Sequence, residues 1–194
     1  GTDGFIARFH GSGAPLLSST YVGTTGFDQS YFVQLDPADD VFVVGQTTGA
    51  YPVTPGKYAN PGATQFLNKF SGDLSVSLWS TRIGGTGGEN ISPSAFLVSN
   101  CGQIYFSGWG GGTNAQGSAG LSSSTAGLPV TADAHQSTTD GSDFYLMMLE
   151  PEGVALGYAT FFGGTSSEHV DGGTSRFDKN GVVYQAVCAG CGSG

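Results

Sequence analysis

Three cysteines, three histidines and a scatter of carboxylates are the residues of this chain whose types could do chemistry. Cys188 and Cys191 form a Cys-x-x-Cys, and Cys101 stands apart from them. A redox pair of the thioredoxin kind needs its first thiol at a helix N-terminus, where the local field lowers its pKa. Here the pair follows an apolar, strand-like run and is flanked by glycine. A zinc half-site would need a second cysteine pair or a close histidine, and neither is at hand. A structural disulfide is the simplest reading. It joins Cys188 to Cys191 or one of them to Cys101, since sequence does not fix connectivity.

The histidines are His10 in a turn, His135 beside a connector, and His169 in Glu168-His169-Val170-Asp171. The last cluster has the residue types of a general base or a metal site. No nucleophile accompanies it at a recognisable spacing, and no Gly-x-Ser-x-Gly elbow occurs. Calcium takes hard oxygen ligands close in sequence, which makes Asp140, Asp143 and Asp178 candidate ligands and Ca²⁺ the one cofactor to consider. The distal bidentate Glu of a full calcium loop is absent, and Asp-Gly and Asn-Gly are also what tight turns require. Turn chemistry is the simpler explanation. Asp28, Glu89 and Glu168 recur at matching places in three segments, as converging catalytic carboxylates or as a repeated turn-stabilising acid. Trp109, set among small residues, and Asn114 in the loop beyond it are the candidate ligand contacts. Trp109 serves either as an open platform for a sugar ring or as packing against a neighbouring sheet.

Composition narrows what these residues can serve. Of 194 residues 34 are glycine, yet aromatics make up 12%, too many for a disordered chain. Only 11% are charged and the net charge is −9. No basic face exists to displace counterions from phosphates, so nucleic acid is excluded as a partner. No stretch approaches the roughly 20 apolar residues of a membrane span, so membrane insertion is not expected. The chain opens and closes inside a repeat, without an initiator Met or signal peptide, which fits a piece of a longer polypeptide.

The elements that must position these residues come in copies. Phe5–Phe9 runs through a polar turn to Ser19-Thr20-Tyr21-Val22-Gly23. Phe66–Phe70 runs likewise to Ser80-Thr81-Arg82-Ile83-Gly84, and Tyr145–Leu149 to Ala159-Thr160-Phe161-Phe162-Gly163. The leading aromatics and the threonines keep the same two spacings. Such a pattern marks supersecondary units, each too small to bury a core alone. Apolar residues alternate with period two, the signal of strands. A third and a fourth strand follow in each unit: Ser30–Leu35 and Val41–Gly45, Ser94–Val98 and Gln103–Gly108, Gly173–Phe177 and Val182–Val187. Tyr51-Pro52-Val53-Thr54 matches Leu128-Pro129-Val130-Thr131 in the connectors, and a Gly/Ser-rich insertion fills 110–127. The expected fold is all-β, a β-propeller of four-stranded antiparallel blades with about three blades in this chain. The blade units are 1–60, 61–138 and 139–194.

The phrases Asp3-Gly4-Phe5-Ile6-Ala7-Arg8-Phe9, Val41-Phe42-Val43-Val44-Gly45-Gln46-Thr47 and Tyr51-Pro52-Val53-Thr54-Pro55-Gly56 resemble the SBBP-type β-propeller repeat. Cys101–Gly111 and Val187–Gly192 are similar to a narrower set, large surface proteins of Bacteroidetes associated with gliding motility and type IX secretion. The resemblance implies a secreted protein at the outer cell surface, with type IX machinery as a possible partner. It carries no shared catalytic motif. The expected function is therefore a non-catalytic structural or adhesive module that presents loops to glycans, surfaces or proteins. Two alternatives stand beside it: a propeller polysaccharide hydrolase or lyase, and a subunit or passenger of a larger surface assembly.

Overall fold

The computed structural model describes residues 1–85, 91–110, 123–166, 168–169, 175–178, 182–186 and 188–189. Its described residues form no α-helix, and none of its segments is a helix long and apolar enough to cross a membrane. The chain is all-β. Strands β1 (Gly4–Phe9) and β2 (Leu16–Val22) form a hairpin. Strands β3 (Asp28–Leu35), β4 (Val41–Thr47), β5 (Gln65–Phe70) and β6 (Ser77–Ile83) form one antiparallel sheet in that order. Strands β7 (Ser92–Val98), β8 (Ile104–Trp109), β9 (Phe144–Leu149) and β10 (Leu156–Phe162) form a second. The short strands β11 (Glu168–His169), β12 (Ser175–Phe177), β13 (Val183–Gln185) and β14 (Cys188–Ala189) follow, with β11 paired to β14 and β12 to β13.

Alternation of side chains explains why these sheets stack. On β4, Phe42 and Val44 face one way, while Val41 and Val43 face the other. Phe42 and Val44, with Leu67, Trp79 and Ile83, meet Phe96, Ile104, Phe106, Met147 and Phe161 of the second sheet in the main core. Val41, Val43, Phe66 and Phe70 meet Val22 and Ile6 of the first hairpin in a smaller core. The β3–β6 sheet is therefore covered on both faces. That is why β4 reads as an almost unbroken apolar run and is buried at every position. On the far side of the second sheet, Phe177 of β12 touches Tyr105, with ring centroids 5.7 Å apart. Each fully buried large apolar side chain contributes about 1.5–3 kcal/mol, so the cohesion lies between sheets rather than within any one of them.

The sheets are offset from the sequence units by half a repeat. Each four-stranded sheet joins the third and fourth strands of one unit to the first and second strands of the next. The expected blades 1–60, 61–138 and 139–194 therefore do not coincide with sheets. The physical reason is that β4 meets β5 along its whole length, from Val41 opposite Phe70 to Gln46 opposite Gln65. The same register recurs from Ile104 opposite Leu149 to Trp109 opposite Phe144. The described residues thus comprise two complete four-stranded sheets, with the hairpin β1–β2 before them in the chain and the two-stranded pairs β11–β14 and β12–β13 after them.

The connector motif covers sheet edges. Thr54 N–H donates to Ser80 O (2.8 Å), and Ser80 N–H donates to Thr54 Oγ1 (3.0 Å). Thr131 makes the same reciprocal pair with Ala159, at 3.1 and 3.2 Å. The outermost strands β6 and β10 thereby find partners for edge groups that would otherwise be exposed.

Candidate functional site

The acids that the sequence repeats lie where one hairpin closes and the next strand begins. Asp28 opens β3 and Glu168 opens β11. Asp28 Oδ2 accepts the Thr24 N–H at 2.6 Å and the Thr24 hydroxyl at 2.9 Å. Glu168 Oε1 accepts the Gly164 N–H at 3.0 Å. Thr24 and Gly164 hold matching places in the repeat. One oxygen of each acid therefore fixes the turn behind it, as a turn-stabilising acid does. Glu89, the third member of the series, lies outside the described residues.

The second oxygen has no such duty. Asp28 Oδ1 and Glu168 Oε2 are buried without a hydrogen-bond partner, and so is Asp143 Oδ1. Asp143 and Glu168 converge on Gly163. A Cβ placed on Gly163 would fall on Asp143 Oδ1 and 2.9 Å from Glu168 Oε2. Only glycine leaves room for both carboxylates. Gly23 also stands between two acids, its Cβ position 2.8 Å from Asp3 Oδ1 and 3.0 Å from Asp28 Oδ2, the oxygen already bonded to Thr24. The trios Asp3, Gly23, Asp28 and Asp143, Gly163, Glu168 have identical internal spacing. In the first trio Asp3 and Asp28 also line an open pocket of about 390 Å³, together with Thr2, Phe5 and Ser30. In the second, Gln136 braces the notch: its Nε2 lies 3.4 Å from Asp143 Oδ2, and its Oε1 accepts the Gly163 N–H at 3.1 Å.

The remaining candidates disperse. Asp140 Oδ1 accepts the Ser142 N–H (2.8 Å), and Asp178 Oδ1 accepts the Val182 N–H (2.9 Å). Both are turn acids. Asp178 sits past the end of β12, at the opposite end of that unit's third strand from Glu168. Of the candidates, Asp178 lies in a separate stretch of chain from Asp140 and Asp143, and no group of three metal-ligating side chains exists among the described residues. Trp109 is buried, with Phe144 and Leu146 packed about it, so its ring is covered rather than offered to a sugar. Asn114 and Cys191 lie outside the described residues. Cys101 is a free, exposed thiol in the β7–β8 turn, so its pairing with Cys188 or Cys191, one of the two alternatives the sequence leaves open, is not formed. It precedes the fourth strand of its unit, whereas Cys188 is at the far end of the corresponding run in the next unit, opposite His169.

A second polar cluster, which sequence reasoning missed, ties the two sheets together. Lys69 Nζ contacts Glu152 Oε1 at 2.8 Å, Asp36 Oδ2 at 3.0 Å and Asp40 Oδ2 at 3.3 Å. Trp79 Nε1 donates to Glu152 Oε2 at 2.8 Å, and Lys57 Nζ donates to Glu152 O at 2.8 Å. Burial works against the Lys69 ammonium, but hydrogen bonds to Glu152, Asp36 and Asp40 prevail and hold its pKa above the ordinary value. Burial likewise raises Asp36 and Glu152, and the contacts with Lys69 outweigh it, leaving both carboxyls below their ordinary values. Glu152 takes a left-handed backbone, φ 59°, a conformation that costs a non-glycine residue about 1–2 kcal/mol. Its three contacts offset that cost. The signal available in the sequence was Arg8, the repeat mate of Lys69, which reaches Gly72 O in the turn of the following unit at 3.3 Å.

Set against known proteins, the chain matches no family model and no curated protein.

Proposed function

We propose that this chain is a non-catalytic structural and adhesive module of a β-propeller, belonging to a large secreted protein of the bacterial cell surface. The observation that carries the propeller reading is the half-repeat offset. Sheets shared between successive units are how a ring of blades binds its neighbours together, and the flanking hairpins have the strand order of half-blades. Phe5 is 69% exposed and Phe9 57%, while their repeat mates Phe66 and Phe70 are 0% and 6% exposed in a completed sheet. Surfaces of this kind are built to be covered by further repeats. The resemblance to SBBP repeats adds export by a type IX route and display outside the cell. The adhesive role rests on the low-charge, acidic composition and on the loops that leave the stacked sheets. The repeated acids Asp28 and Glu168 are engaged in holding turns, which favours scaffold over catalyst.

The test pairs attachment with turnover. The chain, immobilised on beads, is presented to a glycan array and to bacterial surfaces, and the same glycans are assayed for new reducing ends and unsaturated uronates. Retention without product is the expected outcome. Product formation that is lost with Glu168→Gln would replace this reading with that of a polysaccharide hydrolase or lyase.

A further inference from the structure

We infer that Asp143 and Glu168 form a calcium-binding site at the Gly163 notch. Two carboxylates lie side by side there, Asp143 0% exposed and Glu168 4% exposed, each with one oxygen that no protein donor satisfies. Both oxygens crowd the side of Gly163 where a side chain would stand, and Asp143 Oδ1 takes up the Cβ position itself. Two buried carboxylates that face the same glycine repel one another unless something positive lies between them. Among the described residues the salt bridges are all made by Lys69, so neither acid has a basic partner. The ligand atoms described are hard carboxylate oxygens, which suit calcium or magnesium rather than a thiophilic metal. Calcium accepts irregular oxygen sets at about 2.3–2.6 Å and tolerates water in its remaining positions, whereas magnesium demands a near-ideal octahedron.

The other oxygen of each acid explains why the site is preformed. Glu168 Oε1 is anchored by Gly164 N–H and Asp143 Oδ2 lies beside the Gln136 amide. The orphaned oxygens are therefore held in place rather than free to turn to water. The same spacing recurs around Gly23, where the Asp28 oxygen nearest the glycine is Oδ2, already bonded to Thr24, and the buried Oδ1 is again unsatisfied. A bare turn-stabilising role needs one carboxylate per turn. It gives no reason for a second acid at Asp3 and Asp143, nor for a glycine between each pair. Calcium bound at Asp143 and Glu168 joins the start of β9 to the start of β11. It thus fixes the second sheet to the hairpin that follows it.

The test uses the whole chain, stripped with EDTA and titrated with CaCl₂ alone. Calorimetric titration is expected to give binding with a Kd of about 10⁻⁵–10⁻³ M, from the weak limit of sensor sites to the range of extracellular modules. At a calcium concentration a hundredfold above Kd, Tm is expected to rise by about 5–10 °C for a chain of this size. Asp143→Asn with Glu168→Gln should abolish most of that rise while leaving the calcium-free protein folded, because both replacements keep the shape and remove the repulsion. If the double substitution does not fold, Asp143→Asn alone and the wild-type titration decide. A wild-type protein whose Tm and heat signal ignore CaCl₂ overturns the site, as does a calcium response that survives the loss of both carboxylates. Stabilisation by Glu168→Gln in a protein indifferent to calcium would overturn it equally.

Discussion

Lys69 shows how much one side chain can hold in a chain with so few charges. Its ammonium is buried and gathers three carboxylates from two turns, two of them beside its own sheet and one from the next. Replacing it by methionine leaves those carboxylates facing one another. Lys69→Met is expected to destabilise the protein by about 2 kcal/mol, less than a wholly buried pair would lose because Glu152 is half open to water. The pH dependence has a definite sign. Asp36 and Glu152 are held below their ordinary values of 3.8 and 4.5, so their contribution is complete above that range and is lost as pH falls through it. Lys69 is held above 10.5, so its contribution is present below that value and disappears as pH rises beyond it. Urea midpoints measured from pH 7 down to pH 2 should fall more steeply in the wild type than in Lys69→Met. Equal slopes would show that the cluster contributes no stability. In the sequence this lysine is one polar position in an alternating strand, and nothing local announces its partners. The acidic trios were more legible. Asp3, Gly23 and Asp28 keep the spacing of Asp143, Gly163 and Glu168, but their meaning required the pairing of Phe162 with Phe144, which brings Gly163 beside Asp143.

Strands and turns followed from local chemistry. Alternating apolar residues fixed β1, β2, β5, β9 and β10 to within a residue or two and β6 to within three, and glycine-bearing or acidic turns closed their hairpins. The Pro-Val-Thr connector was visible as a repeat, but its purpose was not, because that purpose is a pair of bonds to a strand many residues away. Thr54 and Thr131 each bond an edge strand through both backbone and hydroxyl. Thr54→Val and Thr131→Val keep the shape and delete the hydroxyl acceptor, leaving the Ser80 and Ala159 amides unsatisfied. Each is expected to cost about 1–2 kcal/mol. Hydrogen exchange should report faster opening at Ser80 in the first variant and at Ala159 in the second. Uniform loss of protection across both sheets, without emphasis on β6 or β10, would contradict the view of the connector as an edge clamp.

At the scale of the whole molecule, the repeat gives the period but not the phase. A run of strands one-two-three-four, copied in tandem, can be cut into sheets at any point. The hairpins one-two and three-four are set by short turns. What decides the cut is the contact between a fourth strand and the next first strand, across a connector such as 48–64, and period-two alternation is blind to it. On the proposed reading the exposure of β1 has a cause: its free edge, opposite β2, is the one a strand like β4 would fill, in the register that places Val41 opposite Phe70. A decisive construction follows. Residues 27–64 comprise a third strand, a fourth strand and the connector that leads into β5. Fused ahead of Gly4, this segment supplies β1 with the neighbours β5 already has. The fusion is expected to bury Phe5 and Phe9, for about 1.5–3 kcal/mol each, and to slow amide exchange along β1 to the level of β5. It should also lower binding of a hydrophobic dye. In the same fusion, Phe5→Ser should cost as much as Phe66→Ser does in the natural sheet. If the added strands leave the β1 amides unprotected, the flanking hairpin is a finished structure, and its apolar face must serve some purpose other than the growth of a ring of blades.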